Sequence, residues 1–220
     1  MKKIRASVKF GLLLALTVVF LNCKKDKVDP IPSIWNYSTF TDVRDGKTYK
    51  SIKIGNQEWM AENLAYKTPS GSWDYGDLTL ANKYGRLYNW EAAKQAVPAG
   101  WHLPTDAEWK QLEIFLGMSQ ADADGVSSRG AIEGGKLKSL SGWAKEGHGT
   151  DAVGFAALPG GLFMTNSNDF MAVDWYGYWW TATESDNSNV WFRLIVNGNS
   201  KIIRNLSIKQ DGFSVRCIKN

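Results

Sequence analysis

The chain opens on a cationic stretch, Lys2, Lys3, Arg5 and Lys9, followed by an apolar run from Phe10 to Leu21 that ends just before Cys23. Those twelve residues fall short of the ~20 that a membrane-spanning helix needs. A cationic start before a short apolar run predicts an export signal. Lys24-Lys25-Asp26-Lys27 then turns the chain hydrophilic, so residues 1–22 are expected to be removed and Cys23 to become a lipid-bearing N-terminus.

Further along, the apolar positions change period. Asp45-Gly46 lies between extended-looking flanks, and Ile52 and Ile54 alternate with lysines up to Gly55-Asn56, ahead of Gln57-Glu58-Trp59-Met60. Two tight turns with alternating flanks predict a small β-meander. The good helix formers of Tyr88–Ala96 stop at Val97-Pro98, because proline disfavours a helical residue before it. A helix over Asp106–Leu116 is marked more strongly: Thr105 and Glu108 make a capping box, Trp109, Leu112 and Leu116 share a face, and Gly117 supplies the stop. From Gly149 onward short extended segments dominate, among them Trp179–Thr183. Val190–Val196 carries Phe192, Leu194 and Val196 on one face and Arg193 on the other, closed by Asn197-Gly198. Lys201–Ile208 and Phe213–Ile218 are expected to complete an antiparallel set. Phe213, Val215 and Cys217 share a face there, which reads Cys217 as a buried small hydrophobe. The pattern predicts an α+β fold.

Composition refines this picture. The chain holds 26 Lys and Arg against 22 Asp and Glu, a net charge of +4. The four n-region charges account for all of it, so the mature chain is near neutral and a nucleic-acid partner is not expected. Of two cysteines one is Cys23, which leaves Cys217 without a disulfide partner if Cys23 is acylated. Residues 23–37, charged and then Pro-containing, read as a lipidated tether, and 38–220 as a single domain with no fixed-period repeat.

Four motifs then carry a resemblance. They are Ile54-Gly55-Asn56-Gln57-Glu58-Trp59-Met60-Ala61-Glu62-Asn63-Leu64, Tyr84-Gly85-Arg86-Leu87-Tyr88-Asn89-Trp90-Glu91-Ala92-Ala93, Gly100-Trp101-His102-Leu103-Pro104-Thr105-Asp106-Ala107-Glu108-Trp109 and Gly212-Phe213-Ser214-Val215-Arg216-Cys217. In this order they resemble the Fibrobacter succinogenes major paralogous domain, over about Thr41 to Asn220. That resemblance implies a secreted or surface lipoprotein of bacteria, and Asn22 before Cys23 is similar to the relaxed lipoboxes of spirochaete and Bacteroidetes lipoproteins. Leu103–Trp109 and the closing Gly-Phe-Ser-Val-Arg stretch also resemble sulfatase-modifying, formylglycine-generating enzymes. This second likeness implies a C-type-lectin-like fold, with two helices on small irregular antiparallel sheets whose terminal strands meet.

The candidate chemistry argues against catalysis. Formylglycine generation resembles a copper–thiolate reaction that needs a cysteine pair, and the mature chain offers Cys217 alone. His102 and His148 are the only histidines, and no nucleophile elbow is present. His102 reads as a structural residue. Asp122-Ala123-Asp124-Gly125 begins like a calcium loop, but Val126 stands where the third ligand belongs. The polar loop containing Glu184, Asp186, Asn187 and Asn189 is a better oxygen cluster, and calcium there is the one cofactor considered; none is expected otherwise. Trp175, Tyr176 and Tyr178, near Asp169 and Asp174 in an expected loop, suit sugar stacking or protein recognition. The expectation is a lipid-anchored binding module of the cell envelope, placed at the outer membrane, with a glycan or a surface protein as partner. The alternatives are an enzyme related to formylglycine-generating oxidases and a purely structural envelope lipoprotein.

Overall fold

The structure, a computed structural model, describes residues 35–220; the apolar run, Cys23 and the rest of residues 1–34 lie outside the described residues. Strands β1 (Ser38–Thr41), β2 (Thr48–Ile54) and β3 (Gln57–Met60) form the expected meander. Its second turn is the tight Gly55-Asn56 pair. The first is longer than two residues, because Asp42 closes it by donating its amide to Lys47 and accepting the Arg44 guanidinium. There follow β4 (Ser72–Trp73), α1 (Leu78–Tyr84), β5 (Leu87–Tyr88), α2 (Trp90–Ala96), β6 (Trp101–His102), α3 (Asp106–Phe115), α4 (Gln120–Asp124), β7 (Ser127–Arg129) and α5 (Glu133–Leu137). The last part carries β8 (Leu162–Met164), β9 (Asp169–Met171), β10 (Tyr176–Glu184), β11 (Asn189–Val196), β12 (Ile202–Ile208) and β13 (Ile218–Lys219). The fold is α+β, with several small antiparallel sheets.

Two sheets organise it, one in the order β1-β2-β3-β13-β6 and one in the order β10-β11-β12-β7. The last strand therefore returns to the meander: Ile218 lies opposite Trp59 on one side and His102 on the other. The predicted capping box of α3 is formed in both directions, with Thr105 Oγ1 accepting from the Glu108 amide at 3.2 Å and Glu108 Oε2 accepting from the Thr105 amide at 2.7 Å. Helix α2 starts at Trp90 rather than Tyr88, because the Asn89 side chain caps it by accepting from the Ala92 amide.

Successive strand residues point to opposite faces, and adjacent Trp179 and Trp180 of β10 thereby seed two separate cores. Trp179 joins Trp59, Trp109, Phe155 and Ile195 on the α3 side. Trp180 joins Tyr88, Trp90, Phe192 and Phe213 on the other. Each indole also finds an acceptor, Trp179 on Asn63 Oδ1 at 3.1 Å and Trp180 on the Tyr88 carbonyl at 2.7 Å. Trp90, Trp101 and Trp109 are all buried, as their motif positions suggest.

The face of β11 that carries Arg193 is buried too, because α3 lies across it. Arg193 is opposite Arg204 in the β11–β12 register, and Arg129 of β7 shares that face. Like charges directly opposite destabilise a sheet; here two acids of α3 lie between the arginines and bond all three. Asp106 Oδ1 accepts from Arg193 and Arg204 at 2.8 Å each, and Glu113 Oε1 accepts from Arg193 at 2.6 Å and Arg129 at 2.7 Å. All five side chains are buried.

Burial would raise the Asp106 pKa, but the bonds and charges of Arg204 and Arg193 outweigh it and hold the carboxyl at about 2, against an ordinary 3.8. A depressed folded-state pKa gives stability that is present above the unfolded value and lost as pH falls through the folded one. Asp106 should therefore cost about 2 kcal/mol of stability between pH 4 and pH 2. Urea unfolding across that range would show a steeper loss in the native chain than in Asp106→Asn; equal slopes would refute the assignment.

Two expectations change. Phe213–Ile218 is no continuous strand: it crosses between the sheets by single bridges at Phe213 and Ser214, and only Ile218–Lys219 is paired as β13. Phe213 wedges among Tyr178, Trp180 and Phe192, and Arg216 turns inward, which a regular strand beside β12 would not allow. The third partner in that sheet is β7. The calcium-like segment Asp122–Gly125 folds into α4 and its C-cap, with Ser119 as N-cap and Asp124 bound to Lys110 and Gln120. Helices α1, α4 and α5 accompany the two predicted ones, all of them seven residues or shorter.

Candidate functional site

Trp175 stands just before β10, in the loop that leaves β9, and is 40% exposed. The loop is held in an unusual conformation: Ala172 and Asp174 have φ of +57° and +67°, and the facing Lys145 and Glu146 have +45° and +59°. Left-handed non-glycine residues cost energy and persist only where their surroundings fix them. Fixing contacts are present. The Asp174 amide donates to the Pro159 carbonyl, the Asp174 carbonyl accepts from the Ala144 amide, and the Trp175 carbonyl accepts from the Asn197 amide. The Asp174 carboxylate accepts a short bond from the Tyr84 hydroxyl and lies 3.4 Å from Lys83 Nζ. Lys145 Nζ sits 5.3 Å from the Trp175 ring centre, a cation–π distance. An exposed indole thus lies beside Lys145 and next in sequence to Asp174, whose carboxylate is held by Tyr84 and Lys83.

The other two aromatic candidates differ. Tyr176 and Tyr178 are not in a loop but in β10, since the Gly177 between them continues the ladder opposite Ile195. Tyr178 stacks on Phe213 at 4.9 Å, and burial pushes its hydroxyl up to about 12, so it behaves as a core ring with a polar tip. Tyr176 is half-buried, 6.2 Å from Tyr178 between ring centres. Trp175 alone of the three is exposed.

The polar loop lies at the opposite end of β10. Trp175 precedes the nine-residue strand and Glu184 ends it, and the strand is about 26 Å long at 3.3 Å per residue. Aromatics and acids therefore do not form one site. Within the loop, Asp186 Oδ1 accepts from the amides of Ser188 and Asn189 at 2.8 and 2.9 Å, and Asn189 Nδ2 donates to both Asp186 oxygens. The Asn189 and Ser188 bonds hold the Asp186 carboxyl below its ordinary range. Glu184 pairs with Lys209 at 2.6 Å, and Asn187 is exposed. Most of this oxygen chemistry closes the turn itself. Among the described residues no group of three or more His, Cys, Asp or Glu is placed to hold a metal.

His102 bonds Glu108 through Nε2 and Asn220 through Nδ1, both at 2.8 Å, the structural arrangement expected of it. Glu62 accepts the Lys50 amide. Cys217 is fully buried, and burial pushes its thiol pKa up, away from the thiolate that nucleophiles and metals need. One titratable group escaped the sequence reading: Lys138, 2% exposed, donates to the Gly147 carbonyl and lies over Trp143, with burial pushing its amine down to about 8. Tyr84, Lys83 and Lys145 around Trp175 were also missed as site residues. Only Tyr84 lies in a recognisable motif, and the loops that bring the others together are far apart in sequence.

No curated protein and no solved structure matches the chain. The family comparison does: the model of the Fibrobacter succinogenes major domain matches residues 52–219, from the second strand of the meander to the returning C-terminal strand, and the chain belongs to that family.

Proposed function

We propose that the chain is a lipid-anchored module of the bacterial cell envelope, held at the outer membrane through acylated Cys23, that recognises a glycan or a surface protein through the face around Trp175. The scaffold in this reading is C-type-lectin-like. Support for the scaffold comes from β13, which brings the end of the chain between β3 and β6. One observation carries the binding role: an indole 40% exposed where two braced, left-handed loops meet, with Lys145 over its ring and Asp174 next to it in sequence. Exposed aromatics beside charged and hydrogen-bonding groups are characteristic recognition elements.

The test uses the full chain, kept in a detergent without a sugar headgroup, on glycan and envelope-protein arrays, with calcium and again with chelator. Selective binding is expected, weakened about tenfold or more by Trp175→Ala, on the scale of one hot-spot aromatic. Chelator sensitivity would assign a calcium role to the Glu184–Asn189 loop. Blank arrays, or binding indifferent to Trp175, would overturn the reading.

A further inference from the structure

A separate hollow lies between the Gly55-Asn56 turn and the C-terminal end of α3. It measures about 620 Å3, within the range of ~300–1,000 Å3 common for small-ligand sites. Its lining is Ile54, Gly55, Asn56, Gln57, Gln111, Ile114 and Phe115, none of which overlaps the Trp175 surface. Phe115 is 57% exposed, although it ends a helix whose buried face is Trp109, Leu112 and Glu113. The ring packs against Gly55, where a Cβ would come within 3.0 Å of it and where φ is +60°. Glycine lets the aromatic face lie close against the turn.

The polar side chains of this groove, Asn56, Gln57 and Gln111, are all amides. Gln57 is immobilised from three sides: its Oε1 accepts from Trp59 Nε1, and its Nε2 donates to the Glu108 carbonyl and to Gln111 Oε1, each at 3.1 Å. That bond orients Gln111 and leaves its NH2 protons for another acceptor. Exposed Asn56 adds a donor and an acceptor. Preorganised groups lose little freedom on binding. No charged side chain lines the groove.

We infer that this groove is a binding site for a neutral oligosaccharide, with a pyranose ring stacked on Phe115 and its hydroxyls bonded by Asn56 and Gln111. Neutral amides match neutral hydroxyls, and a charged ligand would meet no counter-charge here. A sugar has an apolar face for Phe115 and Ile114 and a hydroxyl rim for the amides. A peptide strand needs a free sheet edge to pair with, and a peptide helix needs apolar walls several turns long; a hairpin turn against a helix end offers neither. The inference does not rest on the Trp175 surface.

Titration calorimetry of the full chain, in a detergent without a sugar headgroup, against neutral gluco-, manno- and xylo-oligosaccharides of two to six units tests it. Binding of at least one series is expected. Phe115→Ala should weaken it about tenfold and Gln111→Ala several-fold. Phe115 is exposed, and unchanged thermal unfolding would separate loss of binding from loss of fold. Absence of binding by every neutral series, or binding insensitive to Phe115, overturns the inference. So does Phe115-dependent capture of peptides without any response to sugars. Loss through Trp175 alone would transfer the sugar to the other surface.

Discussion

Replacing Glu113 with alanine is expected to destabilise the domain by about 3–5 kcal/mol, the usual cost of removing one partner from a buried ion pair. The carboxylate is fully buried, and a single oxygen, Oε1, accepts from both Arg129 and Arg193. With three arginines and two acids the cluster already carries one excess positive charge (3 − 2 = +1); without Glu113 the excess is two. Arg193 keeps Asp106, but Arg129 keeps only the Ala123 carbonyl and a weak contact with the Met118 sulfur. Glu113→Gln retains an acceptor without the charge and should fall between alanine and the native chain. Combining Glu113→Ala with Arg129→Met should cost less than the sum of the two, because the second change removes the charge the first stranded. Urea unfolding of the five chains, native, Glu113→Ala, Glu113→Gln, Arg129→Met and the double variant, measures this. A loss below about 1 kcal/mol for Glu113→Ala would mean that α3 is held by its apolar face alone, as its periodicity suggests.

That cluster also marks where the sequence stops being readable. The capping box, the Gly55-Asn56 turn and the apolar stripe of α3 are local, decided by residues within a turn of one another, and each is found in the structure. Asp106 and Glu113 lie seven apart, on the same helical face as Trp109 and Leu112, so the stripe always contained two acids. Nothing local says that they are buried. Their counter-charges stand 16 to 98 residues away, and Arg193 alternates with Phe192 as a solvent-facing residue would. The misread end of the chain has the same cause. Phe213–Cys217 alternates like a strand, yet its hydrogen bonds go by turns to Tyr88, Tyr178 and Leu64. For the candidate site, Trp175 was visible as an aromatic beside glycine and acids. Its braces arrive from Tyr84 and Lys145, and the Phe115 groove joins two motifs that each read as structural.

Arg216→Ala should be the other severe change, on the order of 4 kcal/mol, by a different route. Arg216 is fully buried, and among the described residues no carboxylate lies within salt-bridge distance of it. Burial pushes its pKa down to about 10, which still leaves it charged at neutral pH. What holds the charge is a cage of neutral oxygens: Asn63 Oδ1 accepts from Nε at 2.9 Å, the Met60 carbonyl from Nη1 at 3.4 Å, the Ala156 carbonyl from Nη2 at 2.9 Å, and the Phe155 carbonyl makes a short bond. The guanidinium also lies 4.5 Å from the Phe155 ring centre. One side chain thus ties the strand after Trp59 to the Phe155–Ala156 turn, where Ala156 is held at φ +51°. Alanine would take a donor from the buried Met60 and Phe155 carbonyls and from the partly buried Ala156 carbonyl, and leave a cavity the size of the side chain. Lysine restores the charge but cannot fan its donors over four acceptors, so Arg216→Lys should recover less than half of the loss. Hydrogen exchange adds a local readout, with faster exchange at the Ala156 and Ala157 amides if the turn is released. If Arg216→Lys matched the native chain in both measurements, positive charge rather than the planar fork would be what this interior requires.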